Sequence, residues 1–95
     1  MSKRVFVIDD RDNVATVVRD EISAGTVVSV GDGKEVEIKD DISYGHKFAL
    51  HPIEKGEEII KYGLPIGRAS RNISQGEHVH VHNIEAIRAR GDLAN

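Results

Sequence analysis

Apolar residues along the chain alternate or cluster in short runs: "RVFVI", "VATVV", "TVVSV", "EVEIK", "HKFAL", "EEIIK" and "HVHVH". Each run is bounded by Gly, Asp, Asn or Pro, the pattern of short strands separated by turns. No long helical periodicity competes with it; "NIEAIRARGDL" has room for one C-terminal turn. "GDGK" at 31–34 predicts a tight hairpin, because its glycines can adopt positive φ. Beyond that turn Val36 and Ile38 face inward, while Glu35, Glu37 and Lys39 face water. In "HVHVH" the period of two places His78, His80 and His82 on one strand face and Val79 and Val81 on the other.

A longer period overlies the short one. Ile-x-x-Gly followed by a strand occurs at Ile22, Ile42, Ile53 and Ile73, so residues 20–50 map onto 51–81 with an offset of 31. The spacing predicts an internal duplication in which each isoleucine anchors the chain in the core and each glycine turns it. Two repeats are too few for a solenoid and predict bent hairpins packed about a pseudo-twofold, with the four isoleucines buried together.

Composition narrows the setting. A chain of 95 residues is one small domain, burying only about 60% of its unfolded surface, so its core is modest and a partner is expected. Cysteine is absent, which leaves histidine and carboxylates as metal ligands. A net charge of -3 leaves no basic surplus for phosphates, so no nucleic-acid partner is expected. No apolar run reaches the length of a membrane span and "MSKRVFVIDD" lacks a signal peptide's apolar stretch, so no membrane partner and a cytoplasmic location are expected. Asn72-Ile73-Ser74 and Arg90-Gly91-Asp92 match glycosylation and adhesion patterns, which require an extracellular setting; both are read as chance matches.

Four ordered motifs, "DNVATVV" at 12–18, "GHKFAL" at 45–50, "KYGLPIG" at 61–67 and "GEHVHVHN" at 76–83, resemble the N-terminal domain of the altronate and galactarate dehydratase family. The resemblance covers residues 5–85. It implies an all-β, SAF-type β-clip built from the duplicated strand module, with the domain at 1–83 and a short tail at 84–95. The length resembles the separately encoded small subunits of altronate dehydratase and of sulfolactate sulfo-lyase. Family members that dehydrate sugar acids carry a much larger C-terminal domain. The resemblance therefore implies a small subunit, inactive alone, that completes the site of a large dehydratase subunit acting on a sugar acid; isolated, the chain is expected to be free to form a homo-oligomer.

The family's reaction class is β-elimination of water from an acid to give a 2-keto-3-deoxy acid. It needs a base, a cation to stabilise the enediolate, and a proton donor for the leaving hydroxide. His80 and His82, about 6.5 to 7 Å apart at Cα on one strand face, are the leading acid or base candidates, with His46 beside them. His78, His80 and His82 form the metal-ligand set that the resemblance implies for a divalent ion, iron or manganese. Periodicity establishes a face and not a function, so the polar side of a surface strand remains the competing reading. Lys47 reads either as a substrate-carboxylate contact or as a solvated strand edge. Lys61, Tyr62 and Asn83 are the further substrate-binding candidates, while Gly63, Pro65 and Gly67 read as loop geometry. His51 reads as structural, and Asp12 and Asn13 as caps of a local turn. A binding module without catalysis and a purely structural assembly domain are the competing function classes.

Overall fold

Short β-branched runs cut by turn residues make strands too short to hold together except by packing several small sheets on one another. The computed structural model describes residues 5–7, 11–31 and 33–85. Its regular structure is all β: β1 (Val5–Phe6), β2 (Val14–Val17), β3 (Val27–Gly31), β4 (Lys34–Glu37), β5 (Lys47–Ala49), β6 (Glu58–Lys61), β7 (Leu64–Ala69), β8 (His78–Val79) and β9 (Ile84–Glu85). They form antiparallel sheets ordered β1-β2-β5-β8, β3-β4 and β6-β7-β9. Among the described residues no helix is long and apolar enough to cross a membrane.

Alternation along the four-stranded sheet feeds two cores. Val5, Ala15, Val17 and Phe48 pack with Ile22, Val28, Val36, Ile38 and Ile42. The intervening residues Val14 and Ala49, with Val79, pack instead with Ile53, Ile59, Ala69 and Ile73. The four isoleucines are buried as expected, but as two pairs and not one cluster. Each pair closes its own module through reciprocal backbone bonds, Ile22 with Ile42 (2.9 and 2.8 Å) and Ile53 with Ile73 (2.9 and 2.7 Å), and the central sheet stands between them.

The duplication is written in the hydrogen bonds. Gly25 N–H donates to Ile38 O (2.7 Å) and Gly56 N–H to Ala69 O (2.8 Å); Ile38 N–H donates to Thr26 O and Ala69 N–H to Glu57 O, both at 2.8 Å. Side chains follow the same offset of 31: Asp41 Oδ1 accepts from Ala24 N–H and Asn72 Oδ1 from Lys55 N–H.

Several expectations are corrected. "KYGLPIG", read as a loop, is a two-residue turn at Tyr62-Gly63, both at positive φ (58° and 72°), leading into the longest strand, β7. Gly67 serves close approach: a Cβ there would collide with the Ile84 side chain and lie 2.8 Å from Glu85 O on β9. Ile84–Glu85 is therefore a strand and not the start of a helical turn; residues 86–95, including the Arg-Gly-Asp match, lie outside the described residues. Asp12 caps a turn, but the distant one at Tyr62-Gly63, and Asn13 binds β6. Both are buried and reach β6 and the turn after it. Asn13 accepts from Ile60 N–H (2.7 Å) and donates to Glu58 O (2.9 Å), and Asp12 accepts from Gly63 N–H (2.8 Å).

Candidate imidazole site

The pairing of β5 with β8 sets Phe48 opposite His78 and Lys47 opposite Val79. One step further along that register, just beyond both strands, His46 faces His80. Alternation puts His78 and His80 on one face, so three imidazoles meet at one end of the central sheet. Gly45, at φ 84°, turns the chain into His46, whose N–H donates to Ser43 O (3.0 Å).

The rings are close and nearly parallel. Centroids lie 4.3 Å apart for His46 and His80, 5.1 Å for His46 and His78, and 5.5 Å for His78 and His80, with interplanar angles of 21°, 17° and 14°. His46 Nδ1 is 2.9 Å from His78 Nε2, and one nitrogen from each of the three lies within 4.8 Å of the others.

The trio contains His78 and His80 of the expected ligand set, with His46 in place of His82. The strand ends at Val79, and the chain bends at His80 and turns through Val81–Asn83, closed by Asn83 N–H donating to His80 O (3.0 Å). His82 is exposed, with its ring tilted 33° and 5.1 Å from His78. Val81, which the period of two put on the face of buried Val79, is 81% exposed. Asn83, expected at the substrate, is fully buried and its side chain is engaged by the histidine segment: it accepts from His80 N–H (2.9 Å) and donates to His78 O (2.8 Å).

The surroundings favour neutral rings. Burial, then His82, His46 and His80, hold His78 below the usual imidazole range, against an opposing pull from Asp40. Burial, then His46, Lys47 and His82, act on His80 in the same direction. Asp40, which no sequence pattern marked, also accepts a hydrogen bond from His78 N–H (2.9 Å). Lys47 leaves β5 on the face of Val79, opposite to Phe48, and is half-buried; burial first and then Lys61 lower its pKa. Lys61 Nζ sits 4.8 Å from the centre of the Tyr62 ring, and Tyr62 is 53% exposed. Lys47 is thus near enough to act electrostatically on His80 and to be acted on by Lys61.

The trio offers the donor chemistry of a divalent metal site: three imidazoles with no thiolate or carboxylate among the clustered donors. Imidazole nitrogens on one ion stand about 2.0 to 2.1 Å from it, so small ring rotations would have to draw the three together and turn their lone pairs inward. A separate cleft of about 550 Å³, lined by Val7, Val30, Leu50 and His51 among others, shares no residue with the trio. His51 Nδ1 there lies 3.1 Å from Pro52 O, in keeping with a structural role.

The sequence model of the altronate/galactarate dehydratase SAF domain matches residues 3–87. The chain is 48% identical over 81 residues to altronate dehydratase of Bacillus subtilis (strain 168) and 53% identical over 72 residues to altronate dehydratase of Escherichia coli (strain K12). Those segments are 85% and 76% of this chain but only 16% and 14% of the two dehydratases. It is also 42% identical over 89 residues to the (2R)-sulfolactate sulfo-lyase subunit alpha of Chromohalobacter salexigens, covering 87% of this chain and 95% of that subunit.

Proposed function

The chain belongs to the altronate/galactarate dehydratase SAF domain family, and we propose that it is the small subunit of a lyase that eliminates water from a sugar acid. A large subunit supplies the rest of the active site. The substrate class is altronate or a related aldonic or aldaric acid, and the product is a 2-keto-3-deoxy acid. The observation that carries this reading is the His46–His78–His80 trio, three half-buried imidazoles with nitrogens within 4.8 Å of one another, with Lys47 acting electrostatically on His80.

Removal of a proton α to a carboxylate requires an unprotonated base, and departure of the β-hydroxyl requires an acid. The His46–His78 pair serves both needs, because across its 2.9 Å contact one ring donates and the other accepts, so a proton taken up at one can be handed on at the other. Lys47 places a cation beside His80, suited to a substrate carboxylate. Lys61 and Tyr62 extend that surface. In place of that relay, a divalent ion, iron or manganese, would be held by His46, His78 and His80 and would supply Lewis-acid stabilisation of the developing enediolate.

The test is reconstitution. The chain alone is expected to be silent, and mixing with its large subunit should give keto-acid formation from a panel of sugar acids. His46→Asn, His78→Asn and His80→Asn should each cost about 10² to 10⁴ in rate, with His82→Asn less damaging because it stands outside the trio. Turnover by the isolated chain would overturn the need for a large subunit, and full activity in all four variants would leave a scaffold or a binding module. A second reading is favoured by size: alignment over 95% of a sulfo-lyase subunit supports elimination of sulfite in place of water. Sulfite release from sulfolactate in the same assay decides between the two leaving groups.

A further inference from the structure

We propose that Asn83 is the positioning residue of the imidazole site, the group that holds His80 against His46 and His78. The chain beyond Val79 has left the sheet, so no strand ladder keeps His80 in register. Its place is taken by one side chain. Asn83 Oδ1 accepts from His80 N–H at 2.9 Å, while its Nδ2 donates to His78 O at 2.8 Å. The Asn83 backbone closes the same turn by donating to His80 O and ties it to the β7 module by accepting from Ser70 N–H, both at 3.0 Å.

Burial makes the arrangement specific. Asn83 has no exposed surface, and a buried polar side chain is retained only where its hydrogen bonds are met. The segment offers one donor and one acceptor two residues apart, and a carboxamide answers both at once; a carboxylate answers only the donor, and an aliphatic side chain neither. The fixed end of the link is firm, since Ile84 packs against the second core. A displacement of His80 relative to His46, whose rings are 4.3 Å apart, would dissolve the trio without touching either core. The catalytic weight of this assignment rests on the lyase reading above, whereas the geometric assignment does not.

The experiment uses the full chain, isotopically labelled, and reads ring-to-ring NMR contacts among His46, His78 and His80 together with the amide signals of Ile22, Ile42, Ile53 and Ile73. In Asn83→Ala the His46–His80 contact should disappear while the His46–His78 contact, kept by the β5–β8 pairing, and the isoleucine amides stay in place. Asn83→Asp is nearly isosteric and serves if the alanine variant does not fold. It should keep the His80 amide protected from exchange but weaken the His46–His80 contact, because a carboxylate then faces the His78 carbonyl. Retention of the His46–His80 contact in every folded variant overturns the proposal. In the reconstituted enzyme kcat should fall about 10- to 100-fold, as for other groups that orient active-site ligands, with KM changed less. If His80 parts from His46 and turnover is unchanged, Asn83 still positions the site and it is the lyase reading of the histidines that fails.

Discussion

His46 and His78, 32 residues apart in the chain, are joined by a 2.9 Å contact between Nδ1 of one imidazole and Nε2 of the other. One ring must donate and the other accept, so the pair is satisfied with one proton between those atoms and opposed to one on each. The contact ties the second module to the first through the residues that carry the candidate chemistry.

Stability should therefore fall with acid in a defined window. His78 and His80 are both held below the usual imidazole range, whereas in the unfolded chain they titrate at about 6.5. As pH drops through that value the unfolded state binds protons that the folded state resists, so stability declines until the folded rings also titrate. The melting temperature should be flat above about pH 7.5 and fall below about 6.5, and His78→Asn should flatten the slope. A melting temperature that rises on acidification through this window would contradict the neutral-ring site.

Two glycines at equivalent places in the repeats should respond unequally. Gly45 and Gly76 have φ of 84° and 83°, so alanine is strained at either, by about 1 to 2 kcal/mol. A Cβ at 45 meets nothing within 4 Å, whereas one at 76 collides with the carbonyl oxygen of Glu37. Gly45→Ala should lose only the strain energy in urea unfolding. Gly76→Ala should lose much more and disturb the His78 ring, since the Gly76 carbonyl also accepts from Lys39 N–H at 2.9 Å.

Replacing one buried isoleucine by alanine should cost about 2 to 5 kcal/mol, and the disturbance should stay in its own core. Ile22→Ala should shift the methyl signals of Val28, Val36 and Ile38 and leave those of Ile59 and Ala69 in place. Ile73→Ala should do the reverse. Equal shifts in both sets would show that the central sheet does not separate the cores.

Tyr62 is the one non-glycine residue at positive φ among those described, a conformation that glycine adopts without cost. Tyr62→Gly should leave the melting temperature unchanged or raise it, while removing the ring beside Lys61. If the ring contacts substrate, KM of the reconstituted enzyme should rise with kcat little changed. An unaltered KM would assign the residue to the turn alone.

Much of the fold is legible in the chain. All seven apolar runs contain a strand, and the Ile-x-x-Gly spacing carries the offset of 31 that the backbone bonds repeat. β7 was hidden because Pro65 and Gly67 are loop signals locally; its pairing with β6 and β9 overrides them, with Gly67 required by a neighbour that is distant in sequence. The second core was hidden for a related reason, since alternation shows that Val14 and Ala15 face opposite ways but not that both faces are covered.

The site divides along the same line. His46 and the histidines of "GEHVHVHN" stand out as candidates in the chain alone, because side-chain type and a period of two are local properties. Tertiary structure decided which of them meet. Whether His80 stays with the trio and His82 leaves it depends on where the strand stops, and that depends on a turn whose hydrogen bonds come from a buried asparagine and on a partner strand about 30 residues upstream. Pairing of that kind is set by the packing of the two cores as a whole, and no short window of sequence contains it.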